Sequence, residues 1–208
     1  MFAPVPNKAM FIVQIDYHTR GKMVFYALDA ASGAITRITP ELAHRAREMA
    51  ASVARAMHYV GVMAVEFFVV TGGRLLINEM APRPHNSGHY SIDACLTDQF
   101  EQQTRAVAGL PLGDTALLSP VAMVNLLGDL WTYGEPQWDR ALHDPRVKLH
   151  LYGKKDPRPG RKMGHLNVLG ATPDEAMQAA LEARDRLVRS DHDVLLHREG
   201  LSVPTPLS

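Results

Sequence analysis

Apolar positions along the chain alternate between short runs and helical spacing. Residues 9–15 (AMFIVQI) and 22–28 (KMVFYAL) are apolar runs joined by HTRG, a polar linker that supplies turn residues, and they predict two strands. Thr39-Pro40-Glu41 then opens a helix, with threonine as cap, proline in the first turn and an acid near the positive end. Leu42, Ala46, Met49, Val53 and Met57 recur at helical spacing, which predicts one core-facing stripe. Residues 61–70 (GVMAVEFFVV) and 74–80 (RLLINEM) read as strands around a Thr-Gly-Gly turn. Residues 81–96, rich in Pro, His, Asn, Ser and Gly, read as an irregular loop. A helix is predicted over 97–109, ended by Gly109 and Pro111.

The pattern restarts beyond a boundary at 111–115, giving domains over 1–112 and 113–208. Strands are predicted at 119–127, 147–152 and 163–169, with a short helix near 135–142 and a Pro/Gly-rich basic loop over 153–162. Thr172-Pro173-Asp174-Glu175 matches a capping box with proline at the first helical position. Ala176, Ala180, Ala183 and Leu187 then form a narrow apolar stripe. The tail after Gly200 is expected to be loose.

Composition narrows the classes. The chain has 208 residues, 46% hydrophobic and 21% charged, as in ordinary globular proteins. Its formal net charge is zero, which removes any general attraction to nucleic acid or anionic membranes. Cys95 is the only cysteine, so no internal disulfide can form, which suits the cytoplasm. No apolar run is long enough to span a bilayer, and residues 1–8 lack signal-peptide character.

Glu66 and Glu79 are the most informative pair. With Gly72-Gly73 as the centre of a tight hairpin, Thr71 opposes Arg74, Val70 opposes Leu75, Phe68 opposes Ile77 and Glu66 opposes Glu79. Two like charges directly opposite one another destabilise a sheet, and burial makes this worse. A divalent cation resolves the conflict, and Mg²⁺ favours one or two carboxylates plus nucleotide phosphates. If the register slips by one residue, or if the turn is longer, each glutamate is simply a solvated face residue. The adjacent loop packs Arg83, His85, Asn86, Ser87 and His89 into nine residues (APRPHNSGH), the donors that a polar, phosphorylated ligand needs; read alone, it is also compatible with local capping. Arg146, Lys148, Lys154, Lys155, Arg158, Arg161 and Lys162 face the single acid Asp156 in a bent segment. Such a segment is either a phosphate cradle or a solvated charged loop. Its only aromatic is Tyr152, which argues against a platform for stacking single-stranded nucleic acid. Cys95, Trp131 and Trp138 read as packing residues, and the histidines at 143, 150, 165, 192 and 197 lack zinc-like spacing.

Two stretches carry a resemblance. YVGVMAVEFFVVTGGRLLINEMAPRPHNSGHYSIDACLTDQFEQQTRAVAGLPLG (59–113) and YGKKDPRPGRKMGHLNVLG (152–170) resemble corresponding parts of N5-carboxyaminoimidazole ribonucleotide synthetases, and the likeness runs from about residue 20 to residue 189. The resemblance implies an α+β fold: the C-terminal lobe of an ATP-grasp fold, an antiparallel sheet with packed helices, plus a small C-terminal α/β domain. It implies a cytoplasmic ligase of de novo purine biosynthesis that uses MgATP and bicarbonate to carboxylate 5-aminoimidazole ribonucleotide. Bicarbonate is expected to attack the γ-phosphate, and the resulting carboxyphosphate delivers its carboxyl group to the exocyclic amine. By position, the resemblance implies Glu66 and Glu79 as Mg²⁺ ligands and Asn78-Glu79 as a nucleotide contact. The uniform register points Asn78 away from Glu79. The resemblance further implies Arg83, His85, Asn86 and Ser87 as ribonucleotide contacts, with catalytic roles for Arg83 and His85, and Lys154 and Arg161 at the 5′-phosphate. Ala81 stands where many ATP-grasp enzymes place a third metal-binding residue, asparagine.

Full members of the family are longer and form homodimers. They begin with a Rossmann-like domain and a lobe that carries a glycine-rich phosphate loop, neither of which is found here. Residues 1–19 fit the family poorly. A missing N-terminal half is therefore an expected partner. The alternatives are a non-catalytic remnant that binds a nucleotide or a partner, and the related formate-dependent glycinamide ribonucleotide transformylase. The latter shares the PRPH core, but NSGH and RPGRKMGH favour the synthetase.

Overall fold

In a computed structural model the described residues are 9–15, 26–29, 35–37, 39–70 and 73–188, with backbone placement alone for the three earliest segments. The expected HTRG turn, residues 22–25 of the second expected strand, Thr71 and Gly72 of the expected hairpin turn, and the tail after Gly200 lie outside them. The chain divides into two compact units, Met1–Leu118 and Ser119–Ser208. Residues 113–118 hydrogen-bond back into the first unit: Leu96 N–H donates to Ala116 O, Leu118 N–H to Ala94 O, and Gly113 N–H to Gln102 Oε1.

The first unit is built on an antiparallel sheet. Its strands are β1 (Ala9–Ile15), β2 (Tyr26–Asp29), β3 (Ile35–Arg37), β4 (Met63–Val70) and β5 (Arg74–Ala81), in the order β3-β2-β1-β4-β5. The helix α1 (Pro40–Ala56) starts as expected, with the Thr39 hydroxyl accepting from Leu42 N–H. Hydrogen bonds from its own backbone N–H and from Thr39 hold the Glu41 carboxyl below its ordinary pKa. Its buried stripe differs from the apolar pattern. Ala43, Ala46, Ala50 and Ala54 are buried against Met63, Val65, Phe67 and Leu75. Leu42, Met49 and Val53 flank that contact, while Met57, past the last turn, is 48% exposed. Alanine lets the helix lie close to the sheet, so the larger residues serve as its margins.

The expected loop over 81–96 is more regular than its composition suggests. It contains a 3-10 turn at Asn86–Gly88 and a one-turn helix, α2 (Ser91–Ala94). The helix α3 (Gln99–Val107) follows, capped by Asp98, whose carboxylate accepts from Phe100 and Glu101 N–H. Three glutamines of α3 hold three other backbone segments. Gln99 binds His85, Gln102 binds Gly113, and Gln103 accepts from Val62 N–H at 2.6 Å.

In the second unit β6 (Val121–Leu127), β8 (Lys162–Leu169) and β7 (Val147–Leu151) form an antiparallel sheet in the order β6-β8-β7. α4 (Trp138–Leu142) and α5 (Pro173–Leu187) complete it. The stripe of Ala176, Ala180, Ala183 and Leu187, with Ala179, is buried against Leu126, Leu166 and Val168. The start of α5 is a partial capping box. Thr172 Oγ1 accepts from Glu175 N–H, whereas Glu175 reaches the Ala171 N–H and also binds Arg146. Among the described residues no helix is long and apolar enough to cross a membrane.

Candidate functional site

The β4–β5 hairpin sets the carboxylate pair. Glu66 and Glu79 are register partners, but the hairpin does not keep the uniform count. Val70 pairs with Arg74, Phe68 with Leu76 and Phe67 with Ile77, each one residue away from the expectation for a two-residue turn. The connection therefore holds three residues (71–73), closed by Gly73, which has a φ of 72° and donates its N–H to Val70 O. A bulge between Glu66 and Phe67 then absorbs one extra residue, Asn78, and brings Glu66 opposite Glu79. Turn and bulge offset each other.

The bulge also corrects the placement of Asn78. A uniform strand would turn it away from Glu79, yet its Nδ2 donates to Glu66 Oε2 at 3.4 Å. A bulged residue escapes strict alternation, so both 78 and 79 can address one partner.

His85 joins this group. Its Nε2 lies 3.8 Å from Glu66 Oε1, and both side chains are only 12% exposed. One ligand atom from each of Glu66, Glu79 and His85 lies within 4.8 Å of the others. Two carboxylates that close repel by on the order of 1 to 3 kcal/mol between water-like and protein-surface dielectrics. Among the described residues the Asn78 amide and the His85 imidazole meet Glu66, which leaves the negative charge of the pair for a cation to balance. The donor set fits Mg²⁺, which takes one or two carboxylates and completes its shell with phosphate and water oxygens. Ser87 N–H points at His85 Nδ1 from 3.3 Å and Ser87 Oγ lies 2.9 Å from it. A backbone N–H can only donate, so the neutral ring carries its proton on Nε2, facing Glu66. His85 thus presents an N–H toward the carboxylate, 3.8 Å from it.

Of the other candidates in this loop, Ser87 meets the group through His85. Arg83 is exposed and donates from NH1 to Pro84 O at 2.9 Å. Asn86 and Ser87 form the 3-10 turn that follows His85. Cys95 is half-buried, and burial together with Asp98 pushes its thiol up to about 11, so it is not a nucleophile at neutral pH.

The basic loop of the second unit is folded onto itself. Lys154 Nζ donates to Lys162 O at 2.6 Å and lies 5.3 Å above the Tyr152 ring. Arg161 NH1 donates to Asp156 O, and Arg158 pairs with Asp156 at 2.8 Å. Gly128 passes so close to the Arg158 backbone that a β-carbon would collide with it. Its N–H donates to Arg161 O, while Asp129 Oδ2 accepts from Gly160 N–H. A solvated charge run has no need of this backbone bracing.

Sequence reasoning leaves a longer turn open as an alternative but misses the bulge that restores the Glu66–Glu79 pairing, and it misses Gln99. For Gln99 a signal existed: a helix beginning QFEQQ carries more amide than a solvated helix requires.

A model of the ATP-grasp domain matches residues 18–100, and a model of the phosphoribosylaminoimidazole carboxylase C-terminal domain matches residues 121–179. The antiparallel sheet and the family match together place the chain among ATP-grasp proteins. The N5-carboxyaminoimidazole ribonucleotide synthase of Bacillus subtilis is 47% identical over 146 residues, 68% of this chain and 37% of that protein. The crystal structure of the Thermotoga maritima synthetase superposes with a TM-score of 0.70 at 41% identity, covering 90% of this chain and 53% of that one. The Aspergillus clavatus enzyme, solved with ADP and 5-aminoimidazole ribonucleotide, gives 0.71 at 27% identity, covering 89% and 52%. The chain belongs to the N5-carboxyaminoimidazole ribonucleotide synthetase family, and it spans about half the length of these solved relatives.

Proposed function

We propose that this chain serves the ATP- and bicarbonate-dependent carboxylation of 5-aminoimidazole ribonucleotide to its N5-carboxy derivative, a step of purine biosynthesis. The observation that carries this reading is the pairing of Glu66 with Glu79, with Asn78 and His85 turned onto Glu66. Glu66 and Glu79 hold Mg²⁺, and Asn78 with Glu79 contacts the nucleotide. When bound, the metal neutralises phosphate oxygens during phosphoryl transfer. Arg83 supplies a fixed cation, and His85 holds a proton at Nε2. Asn86 and Ser87 complete the contacts of this loop to the ribonucleotide, and Lys154 and Arg161 bind its 5′-phosphate. The rest of the length seen in the relatives, and self-association as a homodimer, belong to the same proposal.

The test is phosphate release from MgATP with bicarbonate, with and without 5-aminoimidazole ribonucleotide, the remaining family domains being supplied. Release that needs the ribonucleotide, and that formate cannot support in place of bicarbonate, is expected. Ribonucleotide-independent or formate-driven release contradicts the reading.

A further inference from the structure

Gln99 lies outside the set of residues assigned above, yet it touches the centre of the loop that carries them. It is the first residue of α3, and it is 3% exposed. Its Oε1 accepts from His85 N–H at 2.9 Å, and its Nε2 donates to His85 O at 2.9 Å. The same Nε2 lies 2.7 Å from His89 Nδ1. Its own N–H donates to Ser91 Oγ, which in turn donates to Gly88 O. One side chain and one helix terminus therefore hold the loop at residues 85, 88, 89 and 91.

These contacts have only one consistent proton assignment. The His85 N–H can only donate, so the atom facing it must be the amide oxygen of Gln99. The amide nitrogen then faces both His85 O and His89 Nδ1, one N–H for each. His89 Nδ1 must accept, and the neutral ring carries its proton on Nε2. The ring is further fixed by stacking on Phe100, at 5.6 Å and 24°. A fully satisfied buried amide is costly to disturb, because any change leaves a buried partner unpaired.

We propose that Gln99 is a positioning residue for ribonucleotide binding, which it serves by fixing the backbone of His85 and the Nε2–H tautomer of His89. This role rests on the reading that the loop at 83–87 contacts the ribonucleotide. Gln102 offers an internal comparison. It makes the same two-way clamp on Gly113, at 3.0 and 2.8 Å, at the far end of the unit's chain path.

The experiment records imidazole tautomers by long-range ¹H–¹⁵N correlation in the ¹⁵N-labelled chain, and measures 5-aminoimidazole ribonucleotide affinity by calorimetry. Wild type should show His89 protonated on Nε2. Gln99→Glu keeps the shape but replaces the donor with an acceptor. It should move the His89 proton to Nδ1 and raise the Kd at least about tenfold, as small displacements of binding groups do. Gln102→Leu should lower stability while leaving tautomer and affinity unchanged. A wild-type His89 protonated on Nδ1 overturns the assignment without recourse to any variant. An unchanged Kd in a folded Gln99→Glu protein overturns the positioning role. If wild type binds no ribonucleotide, the functional reading fails and takes that role with it, while the tautomer spectrum separately decides the hydrogen-bond assignment.

Discussion

At the scale of single residues, charge and burial separate groups that build the fold from groups that await a ligand. Phe67 is fully buried beneath the α1 alanines. Phe67→Ala should cost about 3 to 5 kcal/mol in chemical denaturation, the usual range for emptying such a site. Asp144 is structural in another way. Hydrogen bonds from the Arg146 side chain, with smaller contributions from its backbone and charge, hold the Asp144 carboxyl down to about 2 from an ordinary 3.8. A depressed carboxyl stabilises the folded state above its unfolded pKa, and this is lost as pH falls through the folded one. Wild type should therefore exceed Asp144→Asn in stability at pH 6, with the gap narrowing below about pH 4 and closing near pH 2. Both tryptophans lie in the second unit beside Glu135, which accepts from each indole N–H, so their fluorescence reports this comparison. Arg161→Ala should weaken 5-aminoimidazole ribonucleotide binding and leave ATP binding largely intact, as titration calorimetry would show. A large loss of ATP affinity would contradict its place at the 5′-phosphate.

At the scale of elements, the hairpin shows what was legible in the sequence and what was not. Strand positions were readable because β4 and β5 are apolar runs with glycine between them. The Glu66–Glu79 pairing also emerged, although the count that led to it assumed a two-residue turn and no bulge. The real turn is one residue longer, and Asn78 absorbs the difference. Bulges carry no strong local signature, since they depend on what each strand face must meet in three dimensions. The orientation of Asn78 was lost with the bulge, and so was its contact with Glu66. Asn78→Ala should lower divalent-cation affinity roughly tenfold, the low end of what a residue supporting a metal ligand contributes. Helices fared differently. Caps at Thr39 and Thr172 were readable from local chemistry, whereas the buried alanine face of α1 was masked by larger apolar neighbours. Gln99 shows in the sequence only through the amide-rich run QFEQQ, because the segment it holds is irregular and a polar clamp on irregular backbone has no period to detect.

At the scale of the whole molecule, the two units carry different chemical groups. The first holds paired carboxylates and a braced polar loop, and the second holds a basic loop fixed by Gly128 and Asp129. Family membership follows from both, since separate family models match on either side of Leu118. The central claim is that Glu66 and Glu79 form the metal site. Its most direct measurement is Mn²⁺ titration of the ¹⁵N-labelled chain, in which the paramagnetic ion broadens signals near where it binds. Broadening that begins at residues 64–68, 77–81 and 85 and disappears in Glu79→Gln, with stability little changed, is the expected result. Broadening elsewhere, or the same broadening in the variant, would contradict the account.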